Sequence, residues 1–333
     1  MKAAALLCLL ACAGYAAACA HTYTHDRGLL ADAACPYNHQ QAGWDWKAQD
    51  SACGWTCGGT SQSPINVPAR SHAQLDERLR ANTKFGLAKN ITVLNLGHAI
   101  QVEWASLIGN QASVPICGNS IHGLYSLANP NKECRRPAYA AIEPLQFHFH
   151  GTSEHLLSGR STQLELHIVT KIVNRTGHIL PKECQNGEKC LAVFGVLYDL
   201  NVDTAAMKGD ARIERIISAL PQGCPEAGRE CTNAMAGDLD LSALLPSPKA
   251  FGKNNWSKAQ PKYSTYSGSL TTPPCSQGVM WHVFSEVKAT LSYFQAVKLQ
   301  VALSTVMEGE HPGANRLNNR WVLPLNGRKV FGA

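Results

Sequence analysis

Two short runs constrain this 333-residue chain more than any others: Leu145-Gln146-Phe147-His148-Phe149-His150 and Leu164-Glu165-Leu166-His167. Period-two alternation marks a strand, in which residues i and i+2 share a face. His148 and His150 therefore project together, with Phe147 and Phe149 on the opposite face. If the second run lies beside the first, His167 completes a cluster of three imidazoles. Three neutral imidazoles on rigid strands suit Zn²⁺, and a fourth position left to water marks a catalytic rather than a structural site. Gln146 and Glu165 each precede a histidine by two residues and share its face. Metal-bound histidines give their second N–H to an outer acceptor, which fixes tautomer and ring angle; these two side chains are candidates for that role. One such histidine would be ordinary core, but three in this pattern are not.

The remaining periodicity is strand-rich. Segments Ile91–Leu96, Ala99–Trp104, Leu145–His150, Leu164–Val173, Leu191–Tyr198 and Val279–Phe284 read as strands. Their near-continuous apolar character predicts a large sheet covered on at least one face. Thr204–Leu220 and Phe294–Met307 read as amphipathic helices, and the Gly/Pro/Asn/Cys-rich stretches 115–137, 181–190 and 221–236 as surface loops. No internal repeat and no dividing linker interrupts the pattern, so one large domain is expected.

Residues 1–20 carry Lys2, an Ala/Leu/Cys run and small residues near Ala16–Ala20, the pattern of a secretory signal peptide. No other stretch approaches the ~20 apolar residues of a membrane helix, and no hydrophobic C-terminal tail marks a lipid anchor. The leader holds Cys8, Cys12 and Cys19 of the thirteen cysteines, leaving ten, an even number that predicts disulfides in an oxidising compartment. Proximity pairs Cys117 with Cys134, Cys184 with Cys190, Cys224 with Cys231 and Cys35 with Cys53, although sequence alone leaves connectivity open. An oligomer through disulfides is compatible with this count. A cysteine zinc site lacks paired C-x-x-C motifs. Asn90, Asn174 and Asn255 open Asn-x-Ser/Thr triplets and are glycosylation candidates. The net charge of +6 comes without a Lys/Arg run, so nucleic-acid binding gains no support.

The motifs now join up. Gln146–His150, Ser153-Glu154-His155, Glu165-Leu166-His167 and Gly268-Ser269-Leu270-Thr271-Thr272-Pro273-Pro274 together resemble an α-class carbonic anhydrase. So do Gln62-Ser63-Pro64-Ile65-Asn66, Gly97-His98-Ala99, and Asn318-Asn319-Arg320 with Pro324-Leu325. They follow family order from about Trp44 to Arg328. Ser153–Leu157 and Pro274-Cys275-Ser276 are most similar to secreted algal members. The resemblance implies a mainly β (α+β) catalytic domain over residues 44–331, after an N-terminal extension at 21–43. Its expected core is a twisted, mostly antiparallel ten-stranded sheet with peripheral helices and a conical cleft ending at the metal. Cys57 and Cys275 match the pair bridged in extracellular members.

What the resemblance implies chemically is zinc-dependent, reversible hydration of CO₂ to bicarbonate and a proton. His148, His150 and His167 would hold Zn²⁺, with Gln146 and Glu165 behind them. Thr271 matches the residue whose hydroxyl orients the nucleophile, and Glu154 the recipient of the Thr271 proton. Val169, Val193, Leu270, Val279 and Trp281 match the apolar wall that receives CO₂, and Thr272 the group at its mouth that meets bicarbonate. His98 matches the proton shuttle, a role suited to an imidazole with an ordinary pKa of ~6.5. Two positions depart from the family pattern. Trp44-Asp45-Trp46 replaces a tyrosine that orders relay waters, and Gln101 stands where asparagine is common. His122, His155, His178, His282 and His311 read as structural or surface residues, with His155 able to pack behind the site. The expected setting is the periplasm, cell surface or medium, with inorganic carbon supply or pH regulation as the use. A catalytically weak binding, storage or mineral-associated relative is the competing expectation. Such relatives lose zinc histidines, whereas this chain keeps all three.

Overall fold

Strand-forming sequence dominates because alternate residues find two different covers. The computed structural model describes residues 35, 37–68, 73–74, 80–96, 99–120, 138–185, 190–202, 209–221, 231–246, 262–305 and 318–332. Residues from Tyr37 onward form one compact unit. Its strands in the first half are β1 (Asn66–Val67), β2 (Ala73–Gln74), β3 (Leu87–Asn95), β4 (Ile100–Ile108), β5 (Ser113–Ile116), β6 (Ala138–His150) and β7 (Leu156–Leu157). There follow β8 (Leu164–Val173), β9 (Leu191–Leu200), β10 (Cys231–Met235), β11 (Leu239–Asp240) and β12 (Tyr263–Ser269). The series closes with β13 (Gln277–Phe284), β14 (Lys288–Leu291) and β15 (Phe331–Gly332). Three α-helices accompany them among the described residues: α1 (Asp50–Cys53), α2 (Ala211–Ser218) and α3 (Tyr293–Thr305).

One sheet takes in all but β1 and β7, which pair with each other in parallel. Its main path is β10-β3-β4-β6-β8-β9-β13-β12-β15-β2, ten strands, with β11, β14 and β5 attached to β3, β9 and β6. Pairing is antiparallel except where β13 and β14 meet β9 and where β15 meets β2. The expected mainly β architecture is therefore present, with a broader sheet than ten strands once the attached pieces are included.

The central strands β8 and β9 are buried along almost their whole length, as strands covered on both faces must be. On one face Phe147, Phe149, Leu166, Ile168, Phe194 and Val196 join a single apolar cluster with Ile213 and Ile216 of α2 and Leu299 of α3. Helix α2 starts at Asp210, whose carboxylate caps the Arg212 amide at 2.9 Å. The other face, bearing residues one position out of phase, carries the polar groups described below.

Three sequence expectations differ from the structure. The stretch 115–137 contains the end of β5, whose Pro115 sits opposite Tyr139 of β6; proline and the neighbouring Cys-Gly-Asn hide so short a strand. Likewise 221–236 ends in β10, a sheet-edge strand whose middle three residues are exposed, so it has no apolar alternation. Strand β12 was not anticipated at all. Helices α2 and α3 occupy parts of the expected segments, and residues 203–208 and 306–317 lie outside those described.

Candidate metal centre

The site is built by a register that the histidine spacing anticipates. His148 of β6 lies directly opposite His167 of β8, and His150 opposite Glu165. An irregularity between Pro144 and Gln146 sets the phase. Before it Ala140 and Ile142 face the apolar cluster, and after it Phe147 and Phe149 do. This extra residue is a β-bulge, a device that re-aims side chains; here it turns Gln146, His148 and His150 to the polar face. The imidazole centroids are 5.1 Å apart for His148–His150, 5.2 Å for His148–His167 and 4.5 Å for His150–His167. One ring nitrogen from each lies within 4.8 Å of the others, a spacing that could hold a metal ion.

Each histidine has its other nitrogen engaged. His148 Nδ1 meets Gln146 Oε1 at 2.9 Å, His150 Nδ1 the Asn318 carbonyl at 2.8 Å, and His167 Nε2 the Glu165 carboxylate at 2.9 Å. A carbonyl or carboxylate can only accept, so those nitrogens carry the protons. Nε2 of His148, Nε2 of His150 and Nδ1 of His167 are then the candidate ligand atoms. Burial lowers the pKa of His167 and favours its neutral, ligating form. The Asn318 carbonyl was invisible in the sequence, because a backbone group has no residue type to announce it.

Two buried carboxylates flank the cluster and differ in partners. Glu165 is desolvated, yet the His155 and His167 imidazoles hold it well below the ordinary carboxylate range. Glu154 is pushed up to about 7 by burial, which outweighs His167 and the Arg320 amide that donates to its Oε1 at 2.8 Å. The Thr271 hydroxyl lies near enough to favour the charged form of Glu154. Oε2 of Glu154 nevertheless has no hydrogen-bond partner in good geometry, and it stands 3.5 Å from His150 Nε2 and 3.9 Å from His167 Nδ1. Three neutral nitrogens with an unmatched carboxylate oxygen behind them make a donor set that fits a divalent cation.

Several apolar residues expected beside a metal share the face of the three histidines. Val169, Val193 and Trp281 form a row across β8, β9 and β13. Val279 lies two residues before Trp281 on β13, and both are buried. The Trp281 ring is 4.8 Å from His167 and its indole donates to the Ser269 carbonyl. Leu270 and Thr272, next to buried Thr271, are half-buried. Gln101 sits opposite His148 and donates to Glu103 at 2.7 Å. Trp44 is exposed beside Trp321, whereas Trp46 is buried under Arg320. His155 and His282 are fully buried and His178 half-buried.

Cys57 and Cys275 are bridged, which ties the Pro273-Pro274 turn to the N-terminal segment, and Cys184 is bridged to Cys190. Cys35, Cys53, Cys117 and Cys231 are also disulfide-bonded. Asn90 and Asn174 are exposed. Residues 1–20, expected to be a signal peptide, and His98, His122, His311, Asn255, Cys134 and Cys224 lie outside the described residues. Among the described residues, no helix is long and apolar enough to cross a membrane.

Comparison with known proteins follows the same lines. A model of the eukaryotic-type carbonic anhydrase family matches residues 40–333. A carbonic anhydrase of Dunaliella salina is 30% identical over 312 residues, covering 92% of this chain and 45% of the relative, so the chain spans under half of that protein. The mitochondrial carbonic anhydrase 5A of Homo sapiens is 30% identical over 283 residues, covering 83% of this chain and 77% of the relative. The crystal structure of a halotolerant carbonic anhydrase from Dunaliella salina superposes with TM-score 0.61 at 24% identity, covering 89% of this chain and 97% of the other; that likeness speaks to the fold.

Proposed function

The chain belongs to the eukaryotic-type carbonic anhydrase family, and from that premise we propose that it catalyses CO₂ + H₂O ⇌ HCO₃⁻ + H⁺ with Zn²⁺ held by His148, His150 and His167. The observation that carries this reading is the three-imidazole cluster with every second nitrogen engaged. Bound there, Zn²⁺ supplies Lewis acidity that makes water a nucleophile near neutral pH, behaviour for which carbonic anhydrase is itself the type case.

The protein's own groups do the aiming. Glu154, anchored by the Arg320 amide, accepts a hydrogen bond from the Thr271 hydroxyl. Thr271 then presents an oxygen that can only accept, so it favours a reactant oxygen bearing a proton and rejects anions without one. Val169, Val193, Leu270, Val279 and Trp281 exclude water from the apolar substrate, and Thr272 offers a hydroxyl to bicarbonate. Gln146 and Glu165 hold their histidines in the ligating tautomer. His98 passes the released proton to buffer. The bridged cysteines support a location outside the plasma membrane, where the reaction would serve carbon supply or pH regulation.

Stopped-flow CO₂ hydration on metal-quantified protein tests this, with His148→Ala in parallel. Near-stoichiometric zinc with rapid hydration that the variant loses is the expected result. Zinc bound without hydration above the uncatalysed rate would instead favour the binding-protein alternative. Varying buffer concentration with His98→Ala reads the shuttle separately.

A further inference from the structure

We propose that Tyr266 and Ser63 are positioning residues for the metal centre, acting through His155 and Glu165 on His167. The inference rests on His167 being a zinc ligand. Behind Glu165 runs a buried chain of hydrogen bonds that leads away from the metal. Glu165 Oε1 meets His155 Nδ1 at 2.8 Å as well as His167 Nε2, and Oε2 accepts from the His155 amide at 2.8 Å. His155 Nε2 meets the Tyr266 hydroxyl at 2.7 Å, and that hydroxyl meets Ser63 Oγ at 2.8 Å. Ser63 Oγ accepts from the Ser269 amide at 3.1 Å.

Counting protons fixes the direction of every link. Glu165 only accepts, so His155 donates from Nδ1, and in the neutral ring Nε2 must accept. Tyr266 has one proton and spends it there. Ser63 must then donate to Tyr266, while Ser269 feeds Ser63 from behind. All donation therefore points at Glu165, and bonds in such a series strengthen one another. His155 and His167 share one carboxylate oxygen, so whatever firms the His155 bond also fixes the acceptor that orients His167.

Two glycines make room for this chain. A Cβ on Gly268 would lie 2.1 Å from Ser63 Oγ, and one on Gly195 would lie 2.8 Å from Glu165 Oε1. The clearances fall at the far end of the chain and at its carboxylate. Ser63, Tyr266 and His155 are all buried, so water cannot replace a lost link without opening the core.

The test is zinc release into a chelator from zinc-loaded Tyr266→Phe, together with the proton resonance of His167 Nε2–H. Release about tenfold faster, the lower end of what outer partners of metal ligands contribute, is expected along with a shifted resonance. Ser63→Ala removes the next donor and should move both readouts less, in the same direction; it decides the matter if Tyr266→Phe does not fold. Tyr198→Phe is the control. Tyr198 is a buried tyrosine bonded to the Leu244 carbonyl and joined to no part of the chain, and its variant should match wild type. Wild-type release and resonance in Tyr266→Phe, or equal acceleration in Tyr198→Phe, overturns the proposal. A wild-type protein that takes up no stoichiometric zinc overturns the metal reading itself, and this role with it.

Discussion

His155 and His282 are both fully buried and both touch the β12–β13 pair, yet their surroundings are opposite. His155 lies on the face of the three-histidine cluster with each ring nitrogen bonded, one to Glu165 and one to Tyr266. His282 follows Trp281 along β13 and so faces the apolar side. It stacks on Phe194 at 4.7 Å and meets Tyr263 edge-on, and neither ring nitrogen has a hydrogen-bond partner in good geometry. One histidine is specified by polar links, the other tolerated as a flat ring. A buried polar group is stabilising only where its bonds are complete, so the two should respond to substitution in opposite directions.

The largest effect belongs to His155→Phe. It removes the Nδ1 donor from a buried carboxylate and strands Tyr266. Leaving a buried charged acceptor short of a donor costs more than the roughly 1–3 kcal/mol typical of a neutral group, so urea denaturation of the zinc-free protein should show a loss of about 3 kcal/mol or more. A loss below about 1 kcal/mol would mean that the amide and His167 hold Glu165 unaided, and the contrast between the two histidines would collapse.

Acid should reveal His282 next. Burial, only partly offset by a backbone contact at Met280, pushes its pKa down to about 3 from the ordinary value of 6.5. Above pH 6.5 the ring is neutral in both folded and unfolded chains and contributes no pH dependence. As pH falls from 6.5 toward about 3, the unfolded chain binds the proton and the folded chain does not. Stability is therefore lost over that window, by up to about 1.4 kcal/mol per pH unit. His282→Phe should remove this slope. At neutral pH the same variant should gain about 1 kcal/mol, because an unmet buried polar ring is replaced by an apolar one. Denaturation of both proteins at several pH values reads both effects, and parallel pH curves would contradict the assignment.

The sequence showed the histidine-bearing face plainly because its strands alternate two strongly contrasting residue types. Phe147 and Phe149 against His148 and His150 leave little doubt about phase, and His167 then needs only a neighbour. Strand β12, Tyr-Ser-Thr-Tyr-Ser-Gly-Ser, escaped notice for the opposite reason. It is built mostly of hydroxyl-bearing residues and is buried on both faces, so it has no hydropathy alternation to read. The bulge at Pro144 and the Asn318 carbonyl escaped as well, since each is a property of backbone path. The Ser63–Tyr266–His155 series joins residues 203 and 111 positions apart in sequence, distances over which local pattern carries no signal. Glu154 and Thr271 were accessible only through family motifs.

Thr265 offers the finest test of the comparison. It stands directly opposite His282 on β12, and its hydroxyl is buried with no hydrogen-bond partner. On the other face of the same strand Tyr266 has its hydroxyl bonded on both sides. Thr265→Val keeps the shape and discards only the unmet hydroxyl, so it should be neutral or stabilising by less than about 1 kcal/mol. Tyr266→Phe, also a loss of one hydroxyl, should destabilise. A loss of 1 kcal/mol or more in Thr265→Val would show that its hydroxyl has a partner, most simply an internal water shared with His282. The apolar face would then be closing its hydrogen bonds by the same rule as the histidine face.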